Sequence, residues 1–576
     1  MRRAAATICA IALAAPMSAQ VAGPQPQGTR LPPRDAAGFS APATGTGRLR
    51  GRVLLAGSSS PLRRAQVTLS LEQNVQRMVT TDGDGRYEFF DLPAGRYTIS
   101  AAKGGYVTLQ YGQRRPFEPG RPVTLATAQV AEEVDIALPR AGAINGRITD
   151  RFGEPAVGAE ILVERYQYSS EGQRRLTRAP GLFVVTNDLG EFRVFGLMPG
   201  EYIVSANIRQ RPQLPGQGGG PDTPVAGYVQ TYSPGTASVA DAQPVLLGLG
   251  EEATVQFGLA LGRLSRISGT ITDSTGRPAS GAELMLTTMA ANGSGSGRGS
   301  GSTAADGSFS IVNVAPGDHF IQVRVAPRPD GPAAPEIANA PVSTSGENVE
   351  GLQISTGPAI TVAGTVLWEG TAPRTGASST PSLRITASSA DGRPPILGTV
   401  GAVDAGANGT VGADNTFRLG GLLGRVRFTA TGVPPQWMVK AITVGDSDLM
   451  TTGAEAASLA GDSRIRVVLT DKVTEVTGSV SNASGQPATE FVVVVLPAEA
   501  MPSAIASRYT HVLRPDQQGA FRVRALPPGS YVAAAVEALE QGSEWDPAFQ
   551  ATVRNDGRRF TVGEGQTATL TLDLAP

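Results

Sequence analysis

Apolar and polar residues alternate at a spacing of two over much of this chain, and the same alternation returns five times. Its clearest form is Tyr87-Glu88-Phe89, then Phe192-Arg193-Val194, Phe309-Ser310-Ile311, Phe417-Arg418-Leu419 and Phe521-Arg522-Val523. A period of two with one apolar face predicts a strand buried on one side and wet on the other. A second strand follows each time, as Tyr97-Thr98-Ile99, Tyr202-Ile203-Val204, His319-Phe320-Ile321, Val426-Arg427-Phe428 and Tyr531-Val532-Ala533. Closing strands read the same way at Val134-Asp135-Ile136 and Val255-Gln256-Phe257. No long segment carries helical spacing.

Turn residues punctuate these strands. Asp82 and Gly85, Asn187 and Gly190, and Asp516 and Gly519 hold the first and last positions of four-residue turns. A short polar side chain there caps the turn's own backbone, and glycine tolerates the exit geometry. Pro199-Gly200, Pro316-Gly317 and Pro528-Gly529 mark a second turn. The copies open near Gly51, Gly146, Gly269, Gly364 and Gly478, a period of roughly 95 to 125 residues. That is one small domain per copy, far above a solenoid period. The pattern predicts an all-β chain, a tandem array of about five antiparallel Greek-key β-sandwiches. Expected boundaries are 47–140, 141–262, 263–357, 358–471 (a degenerate copy) and 472–576, after a leader at 1–19 and a Pro/Gly-rich linker at 20–46. Each copy can build its own core, so each is expected to unfold by itself.

The second copy shows the unit most fully. It runs Gly146-Arg147-Ile148-Thr149-Asp150, then Gly153 and Pro155 to Gly158-Ala159, then Asn187 and Gly190 to Phe192, then Leu197, Pro199 and Gly200 to Tyr202. These elements resemble the carboxypeptidase regulatory-like domain, a transthyretin-like Greek-key sandwich. Copies 1, 2, 3 and 5 carry most of the pattern, whereas Leu422-Leu423-Gly424-Arg425-Val426 in copy 4 lacks both the Pro and the Tyr. The resemblance implies a fold rather than an activity, because the family is named after an accessory domain beside a peptidase. Related starch-binding-like sandwiches bind carbohydrate, and others serve as spacers or surface modules.

Composition narrows the compartment. Of 576 residues, 40% are hydrophobic and the net charge is −1, which points neither to disorder nor to a nucleic-acid partner. Arg2 and Arg3, an apolar run from Ala4 to Ala15 and Met17-Ser18-Ala19 read as a secretory signal cleaved before Gln20. The single cysteine, Cys9, falls inside that signal, at the wrong place for a lipid anchor. No later stretch is apolar enough to span a bilayer. The expected location is exported: periplasmic, secreted or at the cell surface.

Candidate chemistry is sparse. Zinc peptidases need paired histidines with a Glu base, and the chain has only His319 and His511, in different copies. His319 aligns with Tyr97, Tyr202 and Tyr531, so it is expected to be a wall residue of its core. Asp82-Gly83-Asp84-Gly85 reads as a plain turn rather than a Ca²⁺ loop, since the other copies do not repeat its acids. The Gly/Ser tract from Gly293 to Ser302 lacks a following Lys-Ser or Lys-Thr and reads as a flexible hairpin loop. No metal or cofactor is expected. Aromatic residues are the remaining lead: Tyr106 and Tyr111, their counterparts Tyr228 and Tyr232, and Trp437 and Trp545. Exposed rings of this kind stack on sugar faces, and the competing reading is ordinary edge packing. The sequence thus favours a non-enzymatic, exported, multidomain binding protein of the cell envelope. Its expected ligand is a polysaccharide or envelope polymer, a class implied by the resemblance. The alternative is a spacer or rod that contacts envelope proteins only.

Overall fold

The computed structural model describes most residues between 45 and 575, the longest omitted stretches being 209–225, 371–382 and 391–407. The expected leader, its cleavage point and nearly all of the linker lie outside the described residues. Among the described residues five main apolar cores follow along the chain, the first four between separate sheets and the fifth enclosed by one seven-stranded sheet. The all-β tandem array is therefore the architecture of this protein, and the units are called sandwiches 1 to 5 below.

Sandwich 2 illustrates the plan. Its opening strand, Gly142–Thr149, pairs antiparallel with Glu191–Leu197 and parallel with the closing strand Glu252–Gly258. The facing sheet carries Arg174–Arg178, Glu160–Tyr168, Gly200–Asn207 and Thr231–Tyr232 in that order. Ile144, Ile148, Phe192, Val194 and Phe257 from the first sheet meet Ile161, Val163, Tyr202 and Val204 from the second. The parallel pairing of first and last strands recurs in all five sandwiches, and in sandwich 5 the closing strand also pairs parallel with Gly529–Val536.

That pairing explains the glycine that opens each copy. Gly146 sits opposite Phe192 on one side and Val255 on the other. A Cβ there would overlap both the Val255 carbonyl oxygen and the edge of the Phe192 ring. Gly364 is closed in by Ile465 and Phe417, and Gly478 by Leu570 and Phe521, in the same way. Only a residue without a side chain lets the closing strand and the aromatic ring approach together.

A second recurring device sits at the start of the Tyr strand. The hydroxyls of Tyr97 and Tyr202 donate to the carbonyls of Pro93 and Met198, both at 2.7 Å, and Tyr531 donates to Pro527 at 2.5 Å. Each ring fills the core while its polar tip is satisfied four residues back, as a buried phenol requires. The predicted turns also form: Asp82 Oδ1 accepts from the Asp84 and Arg86 amides, and Asn187 and Asp516 accept in the same positions.

Sandwich 4 lacks this corner tyrosine and is built differently. Its strand Met438–Val444 pairs with the closing strand Arg464–Thr470 instead of the facing sheet. Trp368 and Trp437 meet edge to face, with centroids 4.7 Å apart, and Trp368 Nε1 donates to Asn415. Two features depart from the sequence reading. The Gly/Ser tract is not a loop over Gly295–Ser302, which forms an edge strand on Glu283–Met289. A ladder to one neighbour needs backbone groups only, so low side-chain content does not forbid it. Sandwich 5 also carries a helix, Pro547–Asp556, capped by the Asp546 carboxylate. Its Val553 covers Val492, Val494, Leu496 and Val532 on the outside of the sheet.

Candidate functional site

The six aromatic residues expected to form a binding platform do not share a face. Tyr232 is only 7% exposed, packed with Leu176 and Ile203 on the outer side of its sheet. Burial, with nearby Glu164 adding to it, pushes its hydroxyl up to about 12. Tyr228, on the separate two-stranded sheet that Ala226–Tyr228 forms with Leu261–Arg263, packs against the inner core instead, so the two rings belong to different clusters. Trp437 is 5% exposed and belongs to the core of sandwich 4. Tyr232 and Trp437 therefore present no ring face to solvent, contrary to expectation, because each closes an apolar cluster. Tyr106 and Tyr111 lean half-buried on the core of sandwich 1. Trp545 is half-buried in a short turn of 3-10 helix, Ser543–Trp545, just before the capped helix.

His319 lies 2% exposed in sandwich 3, in the place that tyrosine occupies elsewhere. His511 lies on the edge strand His511–Leu513 of sandwich 5, with its Nε2 buried and unpaired. They remain in separate sandwiches, as sequence order implied.

The densest polar constellation lies where sandwiches 1, 2 and 5 meet. The described residues of segment 111–121 in sandwich 1 reach both neighbours. On one side Arg514, buried in sandwich 5, donates to Glu118 at 3.4 Å, Glu490 at 3.2 Å and the Gly112 carbonyl at 3.0 Å. Arg121 donates to Glu490 at 3.2 Å and to the Asp516 carbonyl at 2.6 Å. Burial pushes the Arg514 guanidinium below its usual value, and the Glu118 and Glu490 carboxylates oppose that shift. On the other side Phe117, in a left-handed conformation (φ 61°), slides under Arg165 of sandwich 2 with 3.4 Å from ring centre to guanidinium carbon. Arg165 is paired in turn with Glu540 of sandwich 5, and the Gln541 amide donates to the Phe117 carbonyl at 2.9 Å. One loop thus clasps three sandwiches.

A cavity of about 360 Å³ opens beside the clasp, walled by Phe117, Arg165, Tyr166, Arg174, Glu201 and Glu540. Arg174 lies over the Tyr166 ring at 4.1 Å, so the aromatic face available there is already covered by a cation. Chemically this is a recess of mixed charge over an apolar floor, suited to holding surfaces together. Sequence reasoning missed it because Glu118, Arg165 and Arg514 are far apart in the chain and belong to no shared motif.

Comparison with known proteins now adds a family. Residues 48–139 and 266–331 match the carboxypeptidase regulatory-like domain, which places that domain in sandwiches 1 and 3 of this chain. None of the curated proteins matches in sequence. Among solved structures, the chain is similar to the minor pilin of Streptococcus agalactiae, at 12% identity and a TM-score of 0.21, over 37% of this chain and 95% of that one. It is similar to a Streptococcal ancillary pilin, at 11% identity and a TM-score of 0.20, over 54% and 99%. Two B repeat units of the collagen binding protein of Staphylococcus aureus align at 12% identity and a TM-score of 0.12, over 73% and 99%.

Proposed function

We propose that this protein is an exported, non-enzymatic scaffold of the cell envelope that works by binding other proteins. In this reading sandwiches 1, 2 and 5 act as one clasped body, to which sandwich 4 is joined where Lys440 pairs with Glu564 and Arg508 donates to the Val439 carbonyl. The observation that carries the proposal is the buried Arg514–Glu118 pair with its partners. Such a cluster is costly to assemble and serves here to hold sandwich against sandwich. The burial of Tyr232 and Trp437 supports the same choice over a polymer-binding platform. Chemical cross-linking of intact producing cells, followed by purification of the tagged chain, is expected to give discrete adducts of higher mass.

A glycopolymer ligand is the second reading, favoured by the partial exposure of Tyr106, Tyr111, Tyr228 and Trp545. It predicts retardation of the chain in polysaccharide-containing gels, relieved by substituting those four rings. Retardation without protein adducts would reverse the order of the two readings.

A further inference from the structure

Sandwich 2 ends in two neighbouring loops whose tips are apolar. Phe152 is 71% exposed, Val157 59% and Leu189 53%. The loops touch, since a Cβ on Gly190 would fall 3.2 Å from Pro155 Cα and 3.3 Å from the Ala156 nitrogen.

The chain contains its own controls for this feature. Asp150 Oδ1 accepts from the amides of Phe152 and Glu154, at 2.8 and 2.9 Å. Asp273 Oδ1 does the same for Thr275 and Arg277, and Asn482 Oδ1 for Ser484 and Gln486. Pro155, Pro278 and Pro487 make the same isolated bridge to the preceding strand. Phe152 thus occupies the position of Thr275 and Ser484. By the same bonding pattern Val157 replaces Ser280 and Thr489, and Leu189 replaces Asp306 and Gln518. The three tips share one hydrogen-bonding pattern. Only that of sandwich 2 is apolar at all three positions, so backbone geometry does not demand the apolar residues.

Exposed apolar side chains at loop tips of a rigid sandwich, where sister loops use polar ones, mark a contact surface. The surrounding charge says which kind. Within the two loops four carboxylates, Asp150, Glu154, Asp188 and Glu191, stand against the single guanidinium of Arg151, which lies over the Phe152 ring at 4.3 Å. Such a rim repels an anionic lipid surface and complements a basic one. Resting on the reading of the chain as a protein-binding scaffold, we propose that this tip docks into an apolar recess rimmed by Arg or Lys on a partner protein.

The test uses the full chain in its producing cell, with photoreactive p-benzoylphenylalanine in place of Phe152 or Leu189. The same amino acid in place of Thr275 or Ser484 gives the control. Irradiation is expected to yield one common adduct from positions 152 and 189 and none from 275 or 484. With the probe at 189, F152S with V157S should lower the adduct at least tenfold, and the surface pair D188K with E191K should do likewise without altering the melting temperature. Equal adducts at all four positions, or none at 152 and 189, would overturn the proposal. If bulk cross-linking still captured proteins, the scaffold reading would stand without it. Two further outcomes overturn the assigned partner class. One is sedimentation of purified wild-type chain with phosphatidylethanolamine–phosphatidylglycerol vesicles, lost in F152S/V157S/L189S. The other is self-association lost in the same variant.

Discussion

His319 Nε2 lies 2.9 Å from the carbonyl oxygen of Ala315, four residues back, the same relationship that each corner tyrosine makes through its hydroxyl. The imidazole is shorter than a phenol, and sandwich 3 fills the difference with hydroxyls. Thr344 donates to the same carbonyl at 2.8 Å, and Thr288 lies 3.1 Å from Nδ1. The ring is thus held at both nitrogens, Nε2 by Ala315 and Nδ1 by Thr288. This is a structural histidine.

Its substitution therefore has a defined cost. H319F keeps a ring but abandons the Ala315 and Thr288 bonds, and is expected to destabilise sandwich 3 by about 1–3 kcal/mol. H319A also leaves a cavity and should cost about 3–5 kcal/mol. Hydrogen exchange resolved by sandwich is the measurement. Loss of protection should begin in strands 265–272 and 317–325 of sandwich 3.

The opening glycine makes a sharper prediction. Gly146→Ala places a methyl against the Val255 carbonyl and the Phe192 ring at once. Overpacking of this kind typically costs about 1–3 kcal/mol. Pairing Gly146→Ala with Phe192→Leu relieves one of the two clashes, so the double variant should be less destabilised than the sum of the singles. Additive losses in denaturant titrations would argue against the close approach.

Much of this was legible from periodicity alone. Alternation located the Phe and Tyr strands, and Asx–Gly pairs located the turns, because both signals are local to a few residues. His319 was readable as a core residue from its alignment with Tyr97, Tyr202 and Tyr531. The opening glycine was visible but not its reason, which depends on a parallel partner about a hundred residues away in sequence. The helix at Pro547–Asp556 had a local signal in Asp546-Pro547, an N-cap followed by proline at the first helical position. It was missed because strand patterns surround it. Tyr232 and Trp437 were misjudged for a related reason, since an aromatic residue beside a glycine or proline turn reads alike whether it faces water or a second apolar cluster.

The clasp couples units whose cores are separate. Arg514→Ala removes the buried cation that Glu118 and Glu490 share, a change expected to cost up to about 3–5 kcal/mol. Replacing both partners, Arg514→Met with Glu118→Leu, removes the charges together and should cost much less. In scanning calorimetry sandwiches 1, 2 and 5 of the wild type are expected to melt in one transition, apart from sandwiches 3 and 4. Arg514→Ala should split that transition. Five independent transitions in the wild type would mean that separate cores, as the repeat alone suggests, govern unfolding.

Acid should act first on sandwich 5. Burial lowers the pKa of His511 below its usual value, and a hydrogen bond with the Arg508 backbone only partly opposes that shift. The unfolded chain, with a histidine near 6.5, therefore binds a proton before the folded one does. The sign follows. Stability is undiminished above pH of about 6.5, falls as pH drops below it, and stops falling once the pH passes the depressed folded value. His511→Leu removes the proton uptake, accepts the same apolar surroundings and no longer carries the unpaired Nε2. The melting temperature of the transition that contains sandwich 5 should decline from pH 7.5 to pH 5 in the wild type, with up to one proton taken up by His511 per unfolding event. The slope should flatten in His511→Leu. An unchanged slope would assign the acid sensitivity to the carboxylates of the neighbouring clasp instead.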